Sequence, residues 1–327
     1  MTRTHLGVIA CTCGVLMSGT LQAQAPAGSA QGYPSKSIRM VVGFAPGGAT
    51  DIIARIIGPR LGSLLGQQIV IDNRPGADAL LAMEMTAKVP ADGYTLLMNS
   101  SSHAINQSIY KSATIDAQRD FTGIFMVGEV PSLVLVHPSL PVKNVRELIQ
   151  LAKARKGELL YAASASSTYL ATELLIRMAG VNMVKVAYKG GGPATVGLLS
   201  GEVQVMVTGL GPILPHVNAN KVRAIAATTM KRTSLLPNLP TVNESGLPGY
   251  ESGVWYAMFA PAGTPRPIID RLHAETLKTL NEPEVKAGIA GQGIDYAPST
   301  KEDLDKYVVQ EIRKWSKVTQ EAGIKLD

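Results

Sequence analysis

Cysteine is nearly missing from this chain of 327 residues: there are two, Cys11 and Cys13, and both lie in an N-terminal apolar stretch. Without that stretch no cysteine remains, which excludes a disulfide framework and thiol chemistry. Aromatic residues make up only 5%, and Lys and Arg are dispersed, so neither the stacking platform nor the basic stripe of a nucleic-acid binder is present. After the N-terminus, no apolar run approaches the ~20 residues that span a bilayer. Phosphate-loop and dinucleotide fingerprints are missing too, since Gly209-Leu210-Gly211 lacks its third glycine. There is no Gly-x-Ser-x-Gly elbow, no His-Glu-x-x-His pair and no EF-hand loop. His103, His137, His216 and His273 stand singly, without the short spacings of metal ligands. The expectation is a protein with no catalytic group, no metal and no cofactor.

What is present begins with an export signal. Arg3 is followed by Leu6 to Leu21 without an acidic or basic residue, then by the small residues Ala23, Ala25, Ala27 and Ala30. This is the pattern of a secretory signal peptide over 1–30, cleaved at about 23–30, and it places the mature protein in the periplasm. Its removal takes one positive charge, lowering the formal net charge from +6 to +5, a surplus that steers anions weakly.

Over the whole chain 46% of residues are hydrophobic and 17% charged, and the length is enough to bury two domain cores. Apolar, β-branched runs recur near 38–44, 69–72, 94–98, 133–136, 159–162, 184–188, 203–207, 222–227 and 253–259, with helical patterns in most intervals. That is an α/β chain with largely parallel sheets. No Pro/Gly/Ser-rich linker divides it. Strands near 129–136 and 251–259 are instead expected to cross between two lobes, making one lobe discontinuous: 31–132 with 254–327, and 133–253 as the other.

Two segments carry the functional signal. From Ile38 to Arg55 an apolar strand passes through Phe44, Pro46, Gly47 and Gly48 into a helix that Thr50 or Asp51 is expected to cap. Free amides and the dipole at such a helix start favour an anion. From Val184 to Val196 the same order recurs, with Lys189 and three glycines before Pro193. Polar clusters also follow strands, where open α/β sheets bind ligands: Ser100, Ser101, Ser102 and His103; Ser164, Ser166, Ser167, Thr168 and Tyr169; and Thr208. Together they describe an anion site rich in hydroxyls and amides and lacking a reactive group, built for capture.

A wider set of segments then bears on identity: Pro46-Gly47-Gly48-x-x-Asp51, Asn73-Arg74-Pro75-Gly76-Ala77, Asp92-Gly93-Tyr94-Thr95-Leu96, His103-Ala104-x-Asn106, Tyr188-Lys189-Gly190, Gly246-Leu247-Pro248-Gly249-Tyr250 and Ala260-Pro261-Ala262-Gly263-Thr264-Pro265. Over essentially the whole mature chain this resembles the extracytoplasmic solute receptors of tripartite tricarboxylate transporters, the Bug family. The resemblance implies a two-lobed type II periplasmic binding protein fold, each lobe a mostly parallel sheet flanked by helices. It implies a monomer that closes on a small carboxylate and delivers it to a membrane permease of one small and one large subunit. The loop from Ala45 to Asp51 and the Ser164–Thr168 loop are implied to grip a ligand carboxylate. A receptor feeding a sensor kinase, or an enzyme with a spatially assembled site, are the alternatives. Two departures stand out: Asp78-Ala79-Leu80 where the family has further glycines, and a shortened Ser164–Tyr169 loop with Tyr169 in place of His. The first is expected to repel a second carboxylate or favour an amino group, the second to widen the cleft or line it with an aromatic ring.

Overall fold

The computed structural model describes residues 1–2, 32–110, 114–164, 166–188, 191–296 and 299–323. Nearly all of the expected signal segment, together with Ala165, Lys189 and Gly190, lies outside the described residues. The elements are β1 (Ile38–Val42), α1 (Ala49–Leu65), β2 (Ile69–Asn73), a short turn Ala77–Ala79, α2 (Leu80–Ala87), β3 (Thr95–Ser100), α3 (Ser102–Ile109), β4 (Phe121–Val136), α4 (Val145–Ala154), β5 (Leu160–Ala163), α5 (Ser166–Ala179), β6 (Val184–Ala187), α6 (Gly191–Ser200), β7 (Val205–Gly209), α7 (Leu210–Asn218), β8 (Arg223–Ala227), β9 (Gly253–Pro261), α8 (Arg266–Asn281), α9 (Pro283–Gly291), β10 (Asp295–Tyr296) and α10 (Lys301–Ala322).

The strands form one path, β2-β1-β3-β9-β4-β7-β5-β6, with β8 and β10 attached to β4. At one end β2, β1 and β3 are parallel, and at the other so are β6, β5 and β7. Helical crossovers account for that direction, because parallel neighbours need a connection that returns over the sheet face. Between the two parallel sets, β9 and β4 run antiparallel to their neighbours. β4 is the spine. It pairs with β9 from Phe121 to Pro131, then with β7 from Ser132 onward. The sequence foreshadowed only its second half, because the ladder with β9 shifts register twice between Gly123 and Gly128 and the bulges break the alternation.

Each end of the path has its own core. Around the first, Val42, Ile53, Ile57, Leu61 and Leu96 pack with Ile269 and Leu272 of α8; around the second, Val134, Leu148, Tyr161, Leu175 and Val207 do the same. A third cluster joins the ends across their faces: Ile105 and Ile109 of α3, Leu170 of α5, and Trp315 and Val318 of α10.

Local signals explain the helix limits. Gly66 closes α1 in the left-handed conformation at φ 77°, where a Cβ is costly. Asn144 accepts the Glu147 N–H at 3.0 Å, and Glu147 in return accepts from Asn144 Nδ2 at 2.7 Å, a reciprocal cap. Thr300 accepts the Asp303 N–H at 3.1 Å at the start of α10. One expectation is corrected: α1 is capped by neither Thr50 nor Asp51. Its N-cap is Gly48, with no side-chain cap bond, because the helix starts at Ala49, two residues earlier than a Thr50 cap would place it. Among the described residues no helix is long and apolar enough to cross a membrane.

Candidate ligand-binding site

Register brings the polar clusters together. Val42 at the end of β1 faces Met98, so the Phe44–Gly48 loop and the Ser100–His103 segment leave the same edge. Ser100 faces Tyr256 of β9, and Gly253 of β9 faces Pro131 of β4. From the other side Gly209, at the end of β7, faces Ser132, the next residue of β4. The carboxyl ends of both parallel sets therefore aim at the point where β4 changes partners. Ligands of open α/β sheets bind beyond such ends.

The loop before α1 is held by Asp51. Its carboxylate accepts the Gly47 N–H at 2.9 Å, Arg55 Nε at 2.9 Å and Asn73 Nδ2 at 2.9 Å, and Asn73 Nδ2 also donates to the Phe44 carbonyl at 3.0 Å. Burial by itself would raise the Asp51 carboxyl, but the bonds from Arg55, Gly47 and Asn73 hold it below its ordinary value. Asp51 is thus a charged clasp on the loop at the helix start. Gly47, at φ 81°, supplies a turn that a side chain would strain. Pro46 and Gly47 are exposed, Phe44 and Gly48 half-buried, and Thr50 buried. Replacing Asp51 with Ala is expected to cost about 2 kcal/mol of stability, since it strips the acceptor from a fixed amide and an arginine. Chemical denaturation of the variant checks this, and a loss under half a kcal/mol would remove Asp51 as the clasp.

The serines after β3 are buried: Ser100 6%, Ser101 1% and Ser102 4% exposed. Ser102 N–H donates to Ser100 Oγ at 3.3 Å. His103 is corrected as a ligand contact. It has no exposed surface, its ring lies 3.9 Å from and nearly parallel to Phe259, and Nε2 is 3.2 Å from the Ala117 carbonyl. A residue two places along the helix from Ser101 turns toward the core, which the run of polar letters concealed.

In the second set, Ser164 Oγ lies 3.5 Å from Thr168 Oγ1, and Ser166 and Ser167 open α5 half-buried. Thr208 is half-buried in β7 opposite Leu133. Tyr169 is half-buried, and its ring packs on the cluster that joins α3, α5 and α10, with Lys185 Nζ 4.5 Å from its centroid, a packing role the sequence did not announce. Lys189 lies outside the described residues. Arg74 is engaged by Asp72 at 3.1 Å.

Asp78 also belongs here. Burial raises its carboxyl, while Ser166 of α5 and Ser102 of α3 favour its charged form, so it stands between the two sets. Its signal in the sequence was its departure from the expected glycines.

A mixed α/β chain whose two sheet ends meet along shared strands, with helix starts and hydroxyls facing the junction, has the two-lobed type II periplasmic binding protein fold. The family model described as "Tripartite tricarboxylate transporter family receptor" matches residues 53–324, and the chain belongs to that family. It is 36% identical to protein BugT of Bordetella pertussis over 91% of this chain and 93% of that one. Among solved structures, R. palustris Rpa4515 with adipate is 38% identical with a TM-score of 0.77, covering 90% of this chain and 99% of that one. MatC from Rhodopseudomonas palustris with bound malate is 30% identical with a TM-score of 0.73, covering 88% and 99%.

Proposed function

We propose that this protein is a periplasmic receptor that captures a small organic carboxylate between two lobes and delivers it to a tripartite permease of one small and one large subunit. The observation that carries this reading is the convergence of both sets of strand ends, at Ser100 and Gly209, on the partner change at Pro131 and Ser132. The same change supports lobes of 31–132 with 254–327 and 133–253, joined by β4 and by the segment leading into β9. Two connections of this kind allow hinge closure, in which ligand shifts an open–closed equilibrium and the permease reads the closed form. Similarity to proteins solved with adipate and with malate supports an acid as ligand. The protein works as a monomer, is exported by cleavage at about 23–30, and releases its ligand chemically unchanged.

A thermal-shift screen of the mature chain against mono-, di- and tricarboxylates and aromatic acids tests the reading. Ligand at about 100 times its Kd is expected to add about 2.7 kcal/mol and raise the melting temperature by several degrees. Well-folded protein that responds to no acid would overturn carboxylate capture, and recovery of an altered ligand would favour an enzyme.

A further inference from the structure

Asp78 occupies a backbone that few side chains tolerate. Ala77, Asp78 and Ala79 have φ of 45°, 52° and 74°, three successive non-glycine residues in the left-handed region. Each is disfavoured relative to an ordinary conformation. The turn is nonetheless pinned. Asn106 Nδ2 donates to the Asp78 carbonyl at 2.9 Å, and Ala79 packs so closely on Gly43 that a Cβ there would lie 2.2 Å from its own. Strain of this kind, held in place by the strand before α1 and by α3, directs one carboxylate to the junction of the lobes.

That carboxylate is incompletely satisfied. Oδ2 is buried with no hydrogen-bond partner among the described residues, burial raises the group, and only Ser166 and Ser102, with no described cation, favour its charged form. The groups facing it are the two serine hydroxyls and Tyr110, whose hydroxyl is itself pushed up by burial and by the Asp78 charge. Four further buried atoms on the same segments lack partners: Asn99 Nδ2, Ser101 Oγ, His103 Nδ1 and Asn106 Oδ1. The amide orientations are fixed, since Asn99 Oδ1 accepts the Ser100 N–H and Asn106 Nδ2 is used on Asp78. This leaves acceptors idle on Asp78 and Asn106 and donors idle on Asn99 and Ser101. Buried polar atoms are rarely left this way without an occupant. An ammonium answers the acceptors and a carboxylate answers the donors.

Resting on the receptor reading above, we infer that Asp78 is a specificity-determining residue and that the ligand is an amino carboxylate, its ammonium group received by Asp78. A plain dicarboxylate presents a second negative charge to this carboxylate and is disfavoured. An ordered water in the same place would satisfy the atoms but give no preference for an amine.

Calorimetric titration of the mature protein with the matched pairs aspartate and succinate, glutamate and glutarate, and 2-aminoadipate and adipate decides between them. At least one amino acid is expected to bind about tenfold to a hundredfold tighter than its unaminated partner. Asp78→Asn is expected to erase or reverse that ratio, and Asp78→Gly, which suits the left-handed backbone, repeats the test if the Asn variant folds poorly. Plain acids that bind as well as or better than their amino partners in the wild type overturn the inference and leave carboxylate capture standing. An amino preference unchanged in both variants also overturns it. If neither member of any pair binds, the inference is overturned, and the thermal-shift screen against the wider set of acids decides separately whether carboxylate capture stands.

Discussion

Between pH 6.5 and pH 3 the fold is expected to lose about 5 kcal/mol of stability through His103 alone. Burial drives its imidazole from an ordinary 6.5 down to about 3, because no water reaches it and only the Ala117 carbonyl favours its charged form. The unfolded chain binds a proton on this residue below 6.5 while the folded protein refuses it until about 3. Over that window the unfolded state holds more protons, so stability falls as pH falls, by about 1.4 kcal/mol per unit. Burial raises the carboxyls of Glu129 and Asp78, which act in the opposite sense within this window, whereas the depressed acids do not enter it. Asp51, Asp72 and Asp120 sit below their ordinary 3.8, so the stability they contribute is complete above that value and is lost only at lower pH. His103→Gln keeps an N–H for Ala117 and removes the titration. Denaturant melts at pH 7, 6, 5 and 4 are expected to show the difference in stability between variant and wild type moving in the variant's favour as pH falls, whatever its stability at neutral pH. An acid slope identical to that of the wild type would mean that His103 is not held neutral.

Glutamine at position 129 is expected to stabilise the protein at pH 8 by about 3 kcal/mol and to change nothing at pH 4. Glu129 lies on β4 opposite Trp255 and Asp295, three residues before β4 takes β7 as its partner. Its Oε1 is buried without a hydrogen-bond partner among the described residues, and Gly253 leaves it room, since a Cβ there would lie 1.8 Å away. Burial first, then the charges of Glu251, Glu311 and Asp295 against the single opposing Lys314, raise its carboxyl from 4.5 to about 7. Glu311 offers no relief, being engaged by both Trp255 and Trp315 indole N–H groups and by Lys314. Here the folded state holds the extra proton, so stability is full below 4.5 and is lost as pH rises to about 7. Melting temperatures of wild type and variant that differ equally at pH 8 and pH 4 would refute this account. In the wild type the two residues act in opposite directions between pH 4.5 and 6.5, which leaves the profile nearly flat there. Either substitution unmasks the slope of the other.

The elements legible in the sequence were those whose signals are local. Ile53, Ile57 and Leu61 recur at helical spacing and do form the buried stripe of α1, ended by Gly66. Asn144 and Glu147 announced α4, and the polar letters after β3 and β5 marked strand ends that converge on the partner change of β4. The same letters misled where a helix turns its residues by 100° each: Ser102 lowers the Asp78 carboxyl, while the adjacent His103 stacks on Phe259 in the core. The packing of Tyr169 was not legible for a related reason, since its ring joins a cluster drawn from α3 and α10, remote in sequence.

By itself, the sequence determined the α/β class, the order of elements and the exclusion of familiar catalytic and metal motifs, because periodicity, caps and motif spacing are written between near neighbours. It also placed an acid where glycine was expected. Only the tertiary structure decided what that acid meets. The environment of Asp78 is built by Asn106, Ser102 and Ser166, and those of Glu129 and His103 by Glu311 and Phe259. Burial, charge and idle hydrogen bonds depend on distances between segments far apart in the chain, and those distances exist only once the chain has folded.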